Sequence, residues 1–299
     1  MSRTAAFLNS TLFAFLFLIL SATGVAQQPL TVQKIKGNLY MVKGGSGANT
    51  GFFIGDKEVM VIDSKMTADS TKQEIEEIKK LTDKPITRIV LTHSDGDHVN
   101  GLNGFPTGLK IYAHPQTAKD MEEAAKTANT QYLRDYLPNE VCSPCTASTA
   151  SAQAIKAGGE DVLLYYFGPA HTSGDLVVYF PTERAAFIGD LAFLGRDPLV
   201  HRQKGGTSVG CVSTLKSLIA LKADAYIAGH NDPLSSKDLQ ALATSIEEKQ
   251  NKVKGMIAEG KSLDEIRKEF GIAPPAAAPG RPGFRSLVEV IYLELTEKR

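Results

Sequence analysis

Thr92-His93-Ser94-Asp95-Gly96-Asp97-His98 comes directly after the apolar run Ile86-Thr87-Arg88-Ile89-Val90-Leu91. It puts two imidazoles and two carboxylates at the end of an expected strand. On an extended segment, residues two apart point the same way, so His93, Asp95 and Asp97 are expected to face one cavity. Gly96 permits a sharp bend that would turn His98 inward as well. Four such groups would repel or strand one another in a dry pocket without a cation. Imidazole and carboxylate are the usual side-chain donors to Zn, Fe and Mn.

The surrounding pattern alternates. Upstream, Leu39–Val42, Gly51–Ile54 and Val59–Asp63 read as hairpin strands separated by glycine turns, and Thr67–Thr82 reads as a helix with Ile75, Ile78 and Leu81 on one face. Downstream come a strand at Leu109–Ala113 and a helix opened by Pro115. The polar stretch 128–158 reads as irregular. Strands at Val162–Phe167, Leu176–Phe180, Ala185–Ile188 and Ala225–Gly229 come next, with a helix near Ser208–Leu221 and mostly helical sequence beyond Pro233. Hairpins mixed with βα units imply a layered α/β fold with mixed sheets. Four of the six histidines, His93, His98, His171 and His230, fall at strand ends or in strand-to-strand turns, as does Asp190. Loops aimed by rigid strands are where ligand groups converge.

Thr92–His98, Ala170-His171-Thr172-Ser173-Gly174-Asp175, Ile188-Gly189-Asp190 and Gly229-His230, taken in order, resemble the successive motifs of the metallo-β-lactamase superfamily. The resemblance runs from about residue 30 to 232. It implies a four-layer αββα sandwich with two divalent ions at one edge of the sheets and a C-terminal helical extension. By family precedent His93, Asp95 and His171 would hold the first ion. Asp97, His98 and His230 would hold the second, and Asp190 would bridge. Asp95 is a departure, because the family pattern places His there. Zn is the ion expected first, but the added carboxylate makes the first site harder and favours Fe or Mn relative to a three-His site. The implied chemistry is hydrolysis of an ester, thioester, lactam or phosphoester, with paired ions activating water and Asp97 as the catalytic residue that orients it. Substrate contacts are expected from Asn100, Ser173, His201 and Lys204. Two rival functions remain open. One is a di-iron redox enzyme resembling the flavodiiron core, which carries Glu where Asp95 stands. The other is a periplasmic binding or relay protein with an impaired first site.

The rest bounds setting and partners. Arg3, the apolar run Leu12–Leu20 and a small-x-small ending at Gly24 and Ala26 have the layout of a secretory signal peptide. The run is too short for a spanning helix, which needs roughly 20 apolar residues. The expected division is 1–26 signal peptide, 27–233 catalytic domain and 234–299 helical extension packed on it. The mature protein would be periplasmic or secreted, with no stable membrane insertion. Formal charge is zero and no basic block occurs, which argues against nucleic acid and leaves a small-molecule substrate. Cys142 and Cys145 read as a short-loop disulfide, Cys211 as a buried apolar residue and His114 as a hydrogen-bonded rim histidine. Asp63 and Asp175 suit equally the holding of a ligand histidine and the shaping of a turn. Nothing in the sequence sets the oligomeric state.

Overall fold

The computed structural model describes residues 29–143, 145, 152–273 and 285–297. The expected leader 1–26 and the proline-rich run 274–282 lie outside the described residues. In the first sheet seven strands lie side by side in chain order: β1 (Thr31–Lys36), β2 (Leu39–Lys43), β3 (Thr50–Ile54), β4 (Val59–Ile62), β5 (Ile86–Val90), β6 (Lys110–Ala113) and β7 (Glu140–Val141). Pairing is antiparallel up to β4 and parallel from β4 onward. Parallel neighbours need long crossovers. Helix α1 (Ala68–Lys79), the short turn α2 (Gly96–Val99) and helix α3 (Pro115–Ala124) lie in them.

The second sheet has the order β12-β11-β10-β9-β8. Its strands are β8 (Ala152–Ala157), β9 (Glu160–Tyr165), β10 (Val177–Phe180), β11 (Ala185–Gly189) and β12 (Ala225–Ala228). Only β11 and β12 run parallel, and α4 (Ser208–Ala220) joins them. Helices α5 (Ser236–Ala258), α6 (Leu263–Glu269) and α7 (Leu287–Thr296) end the described chain.

Side-chain alternation along the strands sorts the apolar residues into three layers. Leu39, Met41, Phe53, Met60 and Ile62 point between the sheets and meet Val162, Leu164, Val178, Phe180 and Phe187. Their neighbours Val42, Phe52, Val59 and Val61 point outward under α1 and α3, where Ile78 and Met121 cover them. On the far side, Ala186, Ile188, Tyr226 and Ala228 pack under Leu215, Leu218, Leu239, Ile246, Val290 and Ile291 of α4, α5 and α7. The result is the expected αββα sandwich, with the late helices completing its outer layer.

Two local expectations fail, and one strand had no expectation at all. The stretch 128–158 is not irregular throughout, since it holds β7 and β8. Ala152–Ala157 is poor in strand formers but pairs along its whole length with β9, placing Ile155 opposite Val162, so tertiary pairing overrides propensity. Strand β1 carries little strand signal of its own, because it is an edge strand with a mostly exposed, polar sequence. The cluster itself is not extended through Asp97. Asp95 is the last extended residue, and Gly96–Val99 forms one helical turn that brings His98 inward.

Candidate metal centre

The cluster lies where strands of both sheets end. Asp63 comes just after β4, His93 after β5, Asp190 after β11 and His230 after β12, and His171 sits between β9 and β10. The edge is tightly packed. A Cβ on Gly229 would lie 2.2 Å from Asp190 Oδ1 and 2.8 Å from His98 Cε1. Gly189 adopts φ 51°, and its missing side chain makes room for Thr92.

One group of donors gathers Asp97, His98 and His230 around Asp190. His230 Nε2 lies 3.1 Å from Asp97 Oδ2 and 3.2 Å from Asp190 Oδ2, and His98 Nε2 lies 3.2 Å from Asp190 Oδ1. The far nitrogen of His98 is held from behind, with Nδ1 2.8 Å from Asp63 Oδ2. Asp63 also accepts hydrogen bonds from the Thr92 amide and hydroxyl, both at 2.7 Å. Of the two roles open to Asp63, the structure shows the one that fixes a ring; Asp175 takes the other and closes the 172–175 turn through Thr172.

The second group gathers around Asp95. His171 Nε2 lies 3.1 Å and His93 Nε2 3.7 Å from Asp95 Oδ2. His171 Nδ1 donates to the Leu199 carbonyl at 2.8 Å, which aims Nε2 at the cluster. His93, His171 and Asp190 also come within mutual reach of one ion. Two residues expected to contact substrate lie against Asp95. Lys204 Nζ is 2.7 Å from its Oδ1 and also donates to the Ser94 carbonyl and hydroxyl. His201 Nε2 is 2.9 Å from Oδ2. The Ser173 hydroxyl donates to the Lys204 carbonyl, and Asn100 folds back over Gly96.

Charge explains why these groups tolerate one another. Burial opposes charge on His98, but Asp190 and Asp63 outweigh it and hold its pKa well above the usual histidine range. Burial likewise opposes a charged His171, yet Asp95 and Asp190 push its pKa up to about 9. Hydrogen bonds to Asp190 and Asp97 raise that of His230 to about 9. Asp190 stays ionised well below the ordinary carboxylate range despite its burial, because His98 and His230 face it. His93 goes the other way: burial, then repulsion by His98, keeps it neutral. Protons on imidazoles thus balance the carboxylates, as cations would. The buried atoms His93 Nε2, His98 Nε2 and Asp190 Oδ1 make no hydrogen bond. Orphaned nitrogens beside ionised carboxylates fit divalent cations.

The opening lies on the side of Asp97 and His230, whose side chains are 28% and 32% exposed. Sequence reasoning missed its rim: Phe193 stacks on His230, and Arg196 sits 4.0 Å over the Phe193 ring. No motif signals them, because only the turn after Asp190 brings them there. Away from the cluster, His114 caps α3 by accepting from the Gln116 amide, and burial lowers its pKa to about 4. Cys142 and Cys145 form a disulfide, and Cys211 is buried.

The profile of the metallo-beta-lactamase superfamily matches residues 44–230, more than half of the chain and every residue of both donor groups. The chain belongs to that superfamily, whose members bind divalent metals. It is 25% identical over 215 residues to the 2,4-dinitroanisole O-demethylase subunit alpha of Nocardioides sp. (strain JS1661), with 71% of this chain and 61% of that one aligned. It is 29% identical over 197 residues to the metallo-beta-lactamase type 2 of Elizabethkingia meningoseptica, with 59% of this chain and 71% of that one aligned. Among solved structures, a metallo-beta-lactamase from Pontibacter korlensis shares the fold at a TM-score of 0.59 and 18% identity, covering 73% of this chain and 99% of its own. The chain thus spans under two thirds of the demethylase subunit's length.

Proposed function

We propose that the protein is an exported metal-dependent hydrolase acting on a small molecule. The observation that carries this reading is the convergence of Asp97, His98, Asp190 and His230 at an opening, with buried donor atoms left without hydrogen bonds. Bound divalent ions, Zn foremost, lower the pKa of water toward neutrality and polarise the bond under attack. Asp97 and His230 are the exposed members and meet the substrate. His230 and His98 keep Asp97 ionised against the cost of its burial, so its carboxylate can accept a hydrogen bond from an attacking water and orient it. Asp63, held by Thr92, fixes the His98 ring.

Phe193 and Arg196 at the rim suit a substrate with an apolar body and a negative group. Esters, thioesters, lactams and phosphoesters remain the substrate classes, and the relative named as an O-demethylase of 2,4-dinitroanisole adds activated aryl ethers. Export is supported by the signal-like start and by the Cys142–Cys145 disulfide, which persists in oxidising compartments. Among the described residues, no helix is long and apolar enough to cross a membrane.

The test is metal analysis of the purified chain beside turnover of a chromogenic cephalosporin, a nitrophenyl ester, a nitrophenyl phosphate and 2,4-dinitroanisole. Bound Zn with chelator-sensitive turnover of any of them supports the proposal. Two Fe with oxygen consumption would replace it with the redox reading. No metal affinity would leave the binding or relay reading.

A further inference from the structure

Position 95, where the superfamily pattern places an imidazole, carries a carboxylate that faces three imidazoles at once. His201 Nε2, His171 Nε2 and His93 Nε2 lie 2.9, 3.1 and 3.7 Å from the single oxygen Oδ2. The other oxygen, Oδ1, is taken by Lys204 at 2.7 Å. We propose that His201 is a ligand of the first ion, joining His93, Asp95 and His171, and that it supplies the imidazole position 95 lacks.

The inference deepens the metal-dependent reading above and rests on it. The superfamily motifs place no ligand in the loop between Asp190 and α4, so only the geometry here brings His201 forward. Asp95, His171 and His201 have donor atoms close enough together for one ion. Four donors about 2.0–2.2 Å from a tetrahedral ion stand roughly 3.3–3.5 Å apart, and the measured separations from Oδ2 bracket that spacing.

The placement of His201 is built, not incidental. The residue is 6% exposed. Its amide donates to the His171 carbonyl at 2.9 Å, and its own carbonyl accepts from the Lys204 and Gly206 amides. Its ring meets the His171 ring edge-on, with centroids 4.7 Å apart. The Gln203 amide nitrogen Nε2 lies 3.0 Å from Nδ1 and donates to it. Binding an ion through Nε2 requires that carboxamide to turn over, so that its oxygen accepts a proton from Nδ1 and the Nε2 lone pair is freed.

Lys204 has the complementary task. Its ammonium neutralises Oδ1 and keeps Asp95 monodentate, so the first site presents three nitrogens and one carboxylate oxygen. That donor set moves the metal preference back toward Zn after the hardening that Asp95 alone would cause.

Three measurements on the full chain test the assignment. The first is a structure of the Zn-loaded protein at the Zn absorption edge. An anomalous peak about 2.0–2.2 Å from His201 Nε2 supports it, and a first-site peak more than about 3 Å away overturns it. The second is Zn affinity in competition with a chromophoric chelator. His201→Ala is expected to weaken one of the two ions by at least about tenfold and leave the other unchanged; two unchanged affinities overturn the assignment. The third is the visible spectrum of the Co(II)-loaded protein, where His201→Gln must alter one of two band sets, and an unaltered spectrum counts against it. A wild-type chain that binds no metal refutes the proposed function itself, whereas a metal-bound, active wild type with an indifferent His201→Ala refutes only this ligand.

Discussion

Asp63 Oδ2 lies 2.8 Å from His98 Nδ1, and Asp63 holds that position with a backbone φ of 60°. A non-glycine residue with positive φ is strained, and such strain persists where surrounding bonds over-determine it. Here three donors do so, the Thr92 amide, the Thr92 hydroxyl and the His98 ring. Asp63→Asn tolerates the backbone and keeps one acceptor, but it cannot serve all three donors. The variant is expected to fold and to lose about 10–100-fold in affinity for the ion at His98. Asp63→Ala leaves buried donors unmet and should also lose about 1–3 kcal/mol of stability. Chelator competition and denaturant titration read the two effects separately. Unchanged metal affinity in Asp63→Asn would show that Asp63 serves only the fold.

The raised pKa values of His171 and His230, each about 9, set a pH dependence for metal binding. Both rings carry protons at pH 7, and a metal ligand must be neutral, so each ion that binds displaces protons. Affinity therefore falls as pH drops and rises toward pH 9, by about tenfold per pH unit for each proton displaced. Zn titrations in buffers of different ionisation enthalpy at pH 6, 7 and 8 count the released protons. An affinity flat across that range would mean that the carboxylates do not charge these rings.

Legibility in the sequence depended on whether the signal was local. His93, His98, His171, Asp190 and His230 were legible because each chemical side chain lies just past an apolar run, and a rigid strand aims the residues at its end. The layered α/β fold was legible from the strand-like runs such as Leu39–Val42 mixed with helical spacing such as Ile75, Ile78 and Leu81. Strand β8 was not, because Ala152–Ala157 acquires its strand character from β9. Nor could the pairing of Lys204 with Asp95 be read, since 109 residues separate them and surface exposure is the default for a lysine. The helical turn at Gly96 lies between these cases: glycine signalled a bend without specifying that it would be helical.

Glu74 gives a stability prediction away from the cluster. Its carboxyl is fully buried, accepts from Thr50 Oγ1 at 2.6 Å, and faces Lys65, whose ammonium donates to the Val42 and Ala48 carbonyls. Burial raises its pKa to about 7, against the pull of Lys65 and Thr50 and with a push from Asp63. The folded state thus holds a proton that the unfolded chain releases near pH 4.5. The stabilisation from this group is complete below about pH 4.5, falls as pH rises to about 7 and stays lost above, a change of about 3 kcal/mol. Glu74→Gln retains an acceptor for Thr50 and removes the titration. Denaturant unfolding at pH 5 and pH 8 should show a smaller pH difference in the variant than in the wild type. Equal differences would mean that Glu74 is ionised throughout.

Gly229→Ala separates the geometry of the metal edge from the stability of the fold. Gly229 lies just past β12 and its φ is not positive, so alanine brings no backbone strain there. What alanine brings is a methyl group 2.2 Å from Asp190 Oδ1 and 2.8 Å from His98 Cε1. Neither neighbour can yield cheaply. Asp63 fixes the His98 ring, and Asp190 is itself held between His98 and His230. The methyl must therefore displace the carboxylate expected to bridge the two ions, and a displacement near 1 Å at such a centre costs on the order of 100-fold in rate. Overpacking costs about 1–3 kcal/mol, which a fold of this size survives. The expected outcome is a folded variant with a modestly lowered Tm, weakened binding of both ions and turnover reduced at least about 100-fold. Near-normal turnover would show that Asp190 can leave its place without consequence, and that it bridges nothing.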